Sequence, residues 1–273
     1  MRILKVALGA IAAATIAGSA LAADMAIKAP PPPAPVWSWT GFYIGANGGW
    51  GWANSNTTAT TFQSGVIASG LPIIPNQNFS QSLNGAVFGG HLGYNWQIGP
   101  NWLIGFEGDF DGANINKSTA VIALDPLGGA GGLATDGLMA HTQIQWLASI
   151  RGRIGWTAGP NLFYFTGGGA WEQVNRTFLL STDTLAAVFS TSNTGTFSTT
   201  KSGWVAGVGY ERMIAQNWIV RAEYLHYGFD GGGTVSLPVT CTFFGATGSC
   251  GQNITNNNNR ADVVRLGVSY KFF

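Results

Sequence analysis

The sequence predicts an all-β chain: a transmembrane, eight-stranded, antiparallel up-and-down β-barrel with short turns at one end and four long loops at the other. Three observations carry this reading. Only 9% of the 273 residues are charged, against about 25% in an ordinary soluble domain, while Gly (40), Phe (16) and Trp (11) are abundant. Beyond residue 23 no stretch supplies the ~18 apolar residues that a spanning helix needs. Segments that alternate apolar and polar residues recur along the chain, joined in turn by tight turns and by long polar stretches. A closed barrel is the other structure that pairs every backbone polar group inside hydrocarbon.

Residues 1–22 read as a signal peptide. Arg2 and Lys5 form a basic start, 6–18 (VALGAIAAATIAG) an apolar core of 13 residues, and Ala20-Leu21-Ala22 an A-x-A cleavage site. That core is too short to anchor the chain in a membrane. After cleavage 11 basic side chains face 12 acidic ones, which gives no basic patch for nucleic acid. Residues 23–38 contain APPPPAPV and read as a Pro-rich, polyproline II tether on the periplasmic side. The barrel is assigned to 39–273.

The turns IGPNW (98–102), AGPNL (158–162) and AQNWI (215–219) begin about 60 residues apart and combine Pro and Asn with a following aromatic, Leu or Ile. Between these hairpins lie 54–84, 113–140, 175–200 and 230–259, rich in Gly, Ser, Thr and Asn, which read as loops. Short periplasmic turns and long extracellular loops are the asymmetry of an outer-membrane barrel. The strands fall at 41–53, 85–98, 102–112, 142–157, 162–174, 202–213, 218–229 and 261–272, each long enough to cross at a tilt.

Parity then assigns faces. Phe42, Ile44, Ala46, Trp50 and Trp52 oppose Tyr43, Gly45, Asn47, Gly49 and Gly51. Phe88, Leu92, Tyr94, Trp96 and Ile98 oppose Gly89, His91, Gly93, Asn95 and Gln97. In the fourth strand Ile144, Trp146, Ala148, Ile150, Ile154 and Trp156 are assigned to lipid, and Gln143, Gln145, Ser149, Arg151 and Arg153 to the lumen. The fifth is ambiguous: Phe163, Phe165 and Trp171 suit lipid, but Leu162 and Tyr164 compete. In the last, Val264, Leu266, Val268, Tyr270 and Phe272 face out. Trp50, Trp52, Trp96, Trp102, Trp156 and Trp218 suit the interfacial girdles.

The third strand, WLIGFEGDFDG (102–112), places Glu107, Asp109 and Asp111 on one side and Trp102, Ile104, Phe106 and Phe110 on the other. By the same parity Glu172, Glu211, Glu223, Arg151, Arg153, Arg221 and Arg265 point inward. Eight strands enclose a space just wide enough for side chains to fill. Mixed buried charges there must pair, and the planar fork of Arg can bridge two carboxylates. The expected arrangement is a lumenal salt-bridge network, with no catalytic, cofactor or metal role. A metal site would want fewer competing cations.

Other candidates are weaker. His91, His141 and His226 are spread over different strands or strand ends, with His91 read as a lumen residue and His226 as interfacial. GGGA (167–170) lacks the Lys and the strand-to-helix setting of a phosphate loop. Cys241 and Cys250 read as a loop disulfide in an oxidising compartment.

WTGFYIGANGGWGW (39–52), the APPPPAP tether, RGRIGW (151–156), YFTGGGAW (164–171), RAEYLHY (221–227) and the terminal VVRLGVSYKFF together resemble the small alphaproteobacterial outer-membrane porin-like surface antigens. These belong to the OmpA-like eight-stranded barrel superfamily, and the resemblance covers nearly the whole mature chain. It implies a location in the outer membrane of a Gram-negative bacterium, and insertion by the barrel-assembly machinery. That machinery would read a terminal aromatic, here within Tyr270, Phe272 and Phe273. Phe272 keeps the alternation and Phe273 lies one residue beyond it.

The expected function is a structural, surface-exposed protein that contributes to envelope integrity, contacts outer-membrane lipid and lipopolysaccharide, and displays its loops to host or environmental ligands. A small diffusion pore is the first alternative. A barrel enzyme acting on lipid A is the second, and it would need a Ser/His/acid set at the lipid-facing rim.

Overall fold

A computed structural model describes residues 37–64, 77–124, 135–183, 190–231, 233–243 and 246–272. The signal peptide, most of the tether and Phe273 lie outside these. Nine antiparallel strands are formed: β1 (Gly41–Ser64), β2 (Gln77–Ile98), β3 (Trp102–Leu124), β4 (Thr135–Ala158), β5 (Asn161–Asp183), β6 (Ser190–Met213), β7 (Trp218–Phe229), β8 (Thr234–Phe243) and β9 (Ala246–Lys271). Neighbours pair in the order β1 to β7, then β9, and β9 pairs back onto β1. That closes an eight-stranded ring, so no strand edge meets lipid.

Much of what reads as loop is strand. The polar stretches at 54–84, 113–140, 175–200 and 230–259 largely continue the ladders, as in Asn54–Ala59 against Ser82–Gln77 and Gln173–Asp183 against Thr200–Ser190. Ser, Thr and Asn lack a lipid-facing apolar side there, so the alternation that marks the lower strands fades. The ladders persist because their backbone hydrogen bonds continue and Thr suits a pleated surface. β8 is an addition of the same kind: it pairs only with the upper part of β9, beyond the end of β7.

The turns obey their chemistry. Gly99 and Gly159, ahead of Pro-Asn in two of the three short turns, have φ of 71° and 59°, the left-handed region that glycine enters without a steric cost. At the third, the Trp218 carbonyl accepts from the Ile214 amide at 2.9 Å.

Parity fails at three irregularities, one of them on β9, where the β1–β9 register shifts between Ser55 and Thr57. The β3–β4 register shifts between Gly112 and Ile115, and the β4–β5 register between Ile144 and Trp146. An extra residue reverses every face beyond it. Ile144, assigned to lipid by simple alternation, is therefore buried in the lumen at 2% exposure, and Gln145 is exposed outside. The fifth-strand ambiguity resolves in favour of the lipid assignment: Phe163 and Phe165 face out, and Leu162 and Tyr164 fill the interior.

The outer belt is apolar, with Phe88, Leu92, Phe106, Ile150, Phe165 and Leu266 all exposed. Trp96, Trp102, Trp156 and Trp218 ring its turn end, and Trp50, Trp52, Trp171 and Trp204 its loop end.

Inside, the filling is layered. Toward the turns, Trp39, Leu103, Leu162, Tyr164, Met213 and Ile219 form one apolar cluster, with Trp37 packed against it. The compact unit thus begins at Trp37, two residues inside the stretch read as tether. Trp39 Nε1 donates to the Gly159 carbonyl at 3.1 Å, and Lys271 Nζ to that of Ser38 at 2.7 Å. Toward the loops, a second apolar cluster includes Leu83, Val87, Ile115, Leu147, Leu225, Tyr227 and Val263. On β3, β6 and β7 the charged side chains of one cluster lie between these layers, whereas Glu172 on β5 stands within the outer one.

Candidate functional site

The site is built by alternation. Glu107, Asp109 and Asp111 on β3, Arg151 and Arg153 on β4, Glu211 on β6, Arg221 and Glu223 on β7, and Arg265 on β9 all point inward and are buried. Space for them comes partly from inward glycines. A Cβ on Gly89 would stand 2.2 Å from Asp111 Oδ1, and one on Gly168 2.0 Å from the Ile150 carbonyl, beside Arg151.

These nine side chains join in one network. Glu107 is its centre: it accepts from Arg151 at 2.6 Å, Arg153 at 3.3 Å, Arg221 at 2.5 and 2.9 Å, and the Tyr43 hydroxyl at 2.7 Å. Arg151 continues to Asp109 at 3.0 Å and Glu223 at 2.9 Å. Arg153 and Arg221 each reach Glu211 at 2.9 Å. Arg265 binds Asp111 at 2.5 Å, Glu223 at 2.8 Å and Asp109 at 3.4 Å. Four guanidiniums thus neutralise all but one of five carboxylates.

Sequence reasoning misses the aromatic part of this constellation. Tyr164 donates to Glu223 at 2.9 Å, and the Arg153 guanidinium lies over the rings of Tyr43 and Tyr164 at 4.9 and 4.8 Å. No charged residue stands within four positions of either tyrosine, so the only local sign was the inward parity of Tyr43. Ser149 donates to Asp109 at 2.5 Å, while His91 pairs with Ser269 at 2.7 Å. With apolar layers above and below, the network stands in a low-dielectric compartment where each charge depends on its partners.

Glu172 does not belong to this network. It is fully buried within the outer apolar layer, between Ala170 and Val174 on β5, where it accepts from Asn259 at 2.9 Å. Its charged neighbours are Arg176 and Lys201, which sequence parity did not single out. Burial lowers both of these cations outside the membrane span, Arg176 to about 10 and Lys201 to about 8.

The three histidines stay apart. His226 Nδ1 lies 2.7 Å from Asp262 on the outward side, where the Tyr224 hydroxyl also donates to Asp262 at 2.6 Å. Among the described residues no serine hydroxyl bonds to His226, so the pair is not extended to a nucleophile. His141 meets Ser118 at 2.9 Å on the exposed surface. The side chains of Cys241 and Cys250 lie outside the described residues; the backbone register opposes Cys241 to Gly248 and Val239 to Cys250.

A closed antiparallel ring with an apolar belt, two tryptophan girdles and a filled polar interior defines a transmembrane β-barrel. The model of the outer membrane protein beta-barrel domain family matches residues 10–272, and the chain belongs to that family. The 31 kDa outer-membrane immunogenic protein of Brucella melitensis biotype 1 is 31% identical over 269 residues, covering 95% of this chain and 96% of the relative. Among solved structures, Ail, the attachment invasion locus protein of Yersinia pestis, matches with 11% identity and a TM-score of 0.32, covering 82% of this chain and 99% of that one. The outer membrane protease OmpT of Escherichia coli matches with 9% identity and a TM-score of 0.42, covering 88% and 99%. The protein is an outer-membrane β-barrel of a Gram-negative cell, set in the lipid of that membrane.

Proposed function

We propose that the protein is a structural, surface-displaying barrel, closed to solute flow and without enzymatic activity, that contributes to envelope integrity. The observation that carries this is the layered lumen: an ion network sealed between two apolar clusters. In this reading Glu107, Asp109, Asp111, Arg151, Arg153, Glu211, Arg221, Glu223 and Arg265 cross-link strands from the inside, and Glu172 serves the outer mouth. Residues 1–22 are removed on export and 23–36 act as a periplasmic spacer. A Cys241–Cys250 disulfide staples the outer hairpin, and the aromatic end at Tyr270, Phe272 and Phe273 is read by the barrel-assembly machinery.

The outer ladders and their connections would then meet lipopolysaccharide and host or environmental ligands. An immunogenic relative supports exposure at the surface. The lipid A enzyme reading finds its acid–His pair in Asp262 and His226, but among the described residues no serine hydroxyl bonds to that histidine. The test is a deletion strain challenged with detergent and chelator. It should lyse at lower doses than its parent and be restored by the wild-type gene. Equal resistance of the two strains would count against the envelope role.

A further inference from the structure

Above the membrane the ring opens. β7 ends at Phe229, so among the described residues the β6 ladder stops on that side near Ser202, whose carbonyl accepts from the Asp230 amide at 3.2 Å; β8 forms a ladder with β9, and its Leu237 packs against Gly195 of β6. Among the described residues no ladder joins β6 to β8. Beneath the gap between their edges lies a cavity of about 40 Å³, lined by Val174, Arg176, Phe178, Lys201, Val235 and Ile254 among others. A single water position takes roughly 10–15 Å³ on this measure, so the space holds a few waters or one small organic group.

Its chemistry is unbalanced. Lys201 is only 5% exposed, yet its Nζ has no hydrogen-bond partner among the described residues. Arg176 donates Nη2 to Ser55 at 3.0 Å, but its Nε is unpartnered. The one carboxylate nearby among the described residues, Glu172, stands opposite Lys201 in the β5–β6 register; its Oε1 accepts from Asn259, its Oε2 has no hydrogen-bond partner, and it forms no ion pair with either cation. A buried ammonium without an acceptor is costly, whereas in the inner network every guanidinium meets carboxylates. The remaining lining is aliphatic and aromatic.

We propose that this cavity binds a small carboxylate on a short apolar stem, which enters between β6 and β8. The carboxylate accepts from Lys201 Nζ and Arg176 Nε, and the stem lies against Val174, Phe178, Val235 and Ile254. The charge fixes the class and the apolar wall separates it from inorganic oxyanions.

The test uses the full mature chain refolded in a nonionic detergent, with butyrate as probe, butyramide as its neutral counterpart and sulfate as the bare anion, followed by calorimetry. Saturable binding of butyrate is expected, with butyramide and sulfate each at least about tenfold weaker. Lys201→Met and Arg176→Met should weaken butyrate by about ten- to a hundredfold, since each removes a charge-assisted hydrogen bond. Lys201→Arg should restore most of it. Heat-modifiable migration reports that each variant is folded, and the two Met variants guard against failure of either. Absence of saturable binding, equal binding of butyrate and butyramide, sulfate binding as tight as butyrate, or a folded Lys201→Met that binds as wild type would each overturn the proposal.

Discussion

Arg265→Met should lower the unfolding free energy by about 3–5 kcal/mol, the cost of stranding buried charge. Methionine keeps most of the volume, so the loss reports charge and not a void. Two features single out Arg265 over residues with more contacts. It is the sole cation paired with Asp111, at 2.5 Å, among the described residues. The network already holds one carboxylate in excess, and removing Arg265 doubles that excess. Glu107→Gln is the instructive contrast. Glu107 touches four arginines, Arg265 among them at 4.0 Å, and Tyr43. Yet each of those arginines keeps another carboxylate: Arg151 has Asp109 and Glu223, Arg265 has Asp111 and Glu223, while Arg153 and Arg221 have Glu211. The substitution also brings the network to neutrality. Its cost should be about 1–3 kcal/mol, that of imperfect hydrogen bonds. Urea unfolding in lipid vesicles, read by tryptophan fluorescence, gives both values. If Glu107→Gln costs more than Arg265→Met, contact number and not charge balance governs the interior.

Leu266→Arg should cost about 2–4 kcal/mol for a different reason, because it places a cation on the lipid side near mid-membrane. Leu266 is 66% exposed on β9 between outward Val264 and Val268, close to the middle of the span. Ile98→Arg, at the turn end of β2 beside the tryptophan girdle, should cost only about 0–1 kcal/mol, since its guanidinium reaches the interface. The same unfolding assay applies. Equal costs at the two positions would mean that the belt is not where the tryptophans place it.

The membrane-level fold is legible in the sequence because two solvents impose a period of two. Trp102, Ile104, Phe106 and Phe110 mark lipid, and that alone turns Glu107, Asp109 and Asp111 inward. Where one solvent acts on both faces the signal fades. The outer half of β6 carries Ser, Thr and Asn on either side and reads as loop although its ladder continues, while the outer half of β5 and β8 keep inward Val174, Phe178, Val235 and Leu237 against a mostly polar outer face. Bulges are silent too. Nothing in HTQIQWLASI (141–150) announces that one extra residue turns Ile144 inward and Gln145 out. The extent of the network depends on tertiary closeness that parity cannot supply. Glu172 shares a face with the nine other charges, but it stands within the outer apolar layer, where its charged neighbours are Arg176 and Lys201. Arg176 was hidden in a segment read as a loop, and Lys201 fell between that loop and the strand at 202–213.

The central claim is a lumen closed by two apolar layers around a charge-paired core. Conductance of the refolded mature chain in planar bilayers tests it most directly. The wild type should show no steady channel at any moderate voltage, and neither should a double variant lacking the Glu107 and Arg151 charges, whose apolar layers are intact. Reproducible, steady conductance steps from the wild type would contradict the closed lumen and favour a diffusion pore.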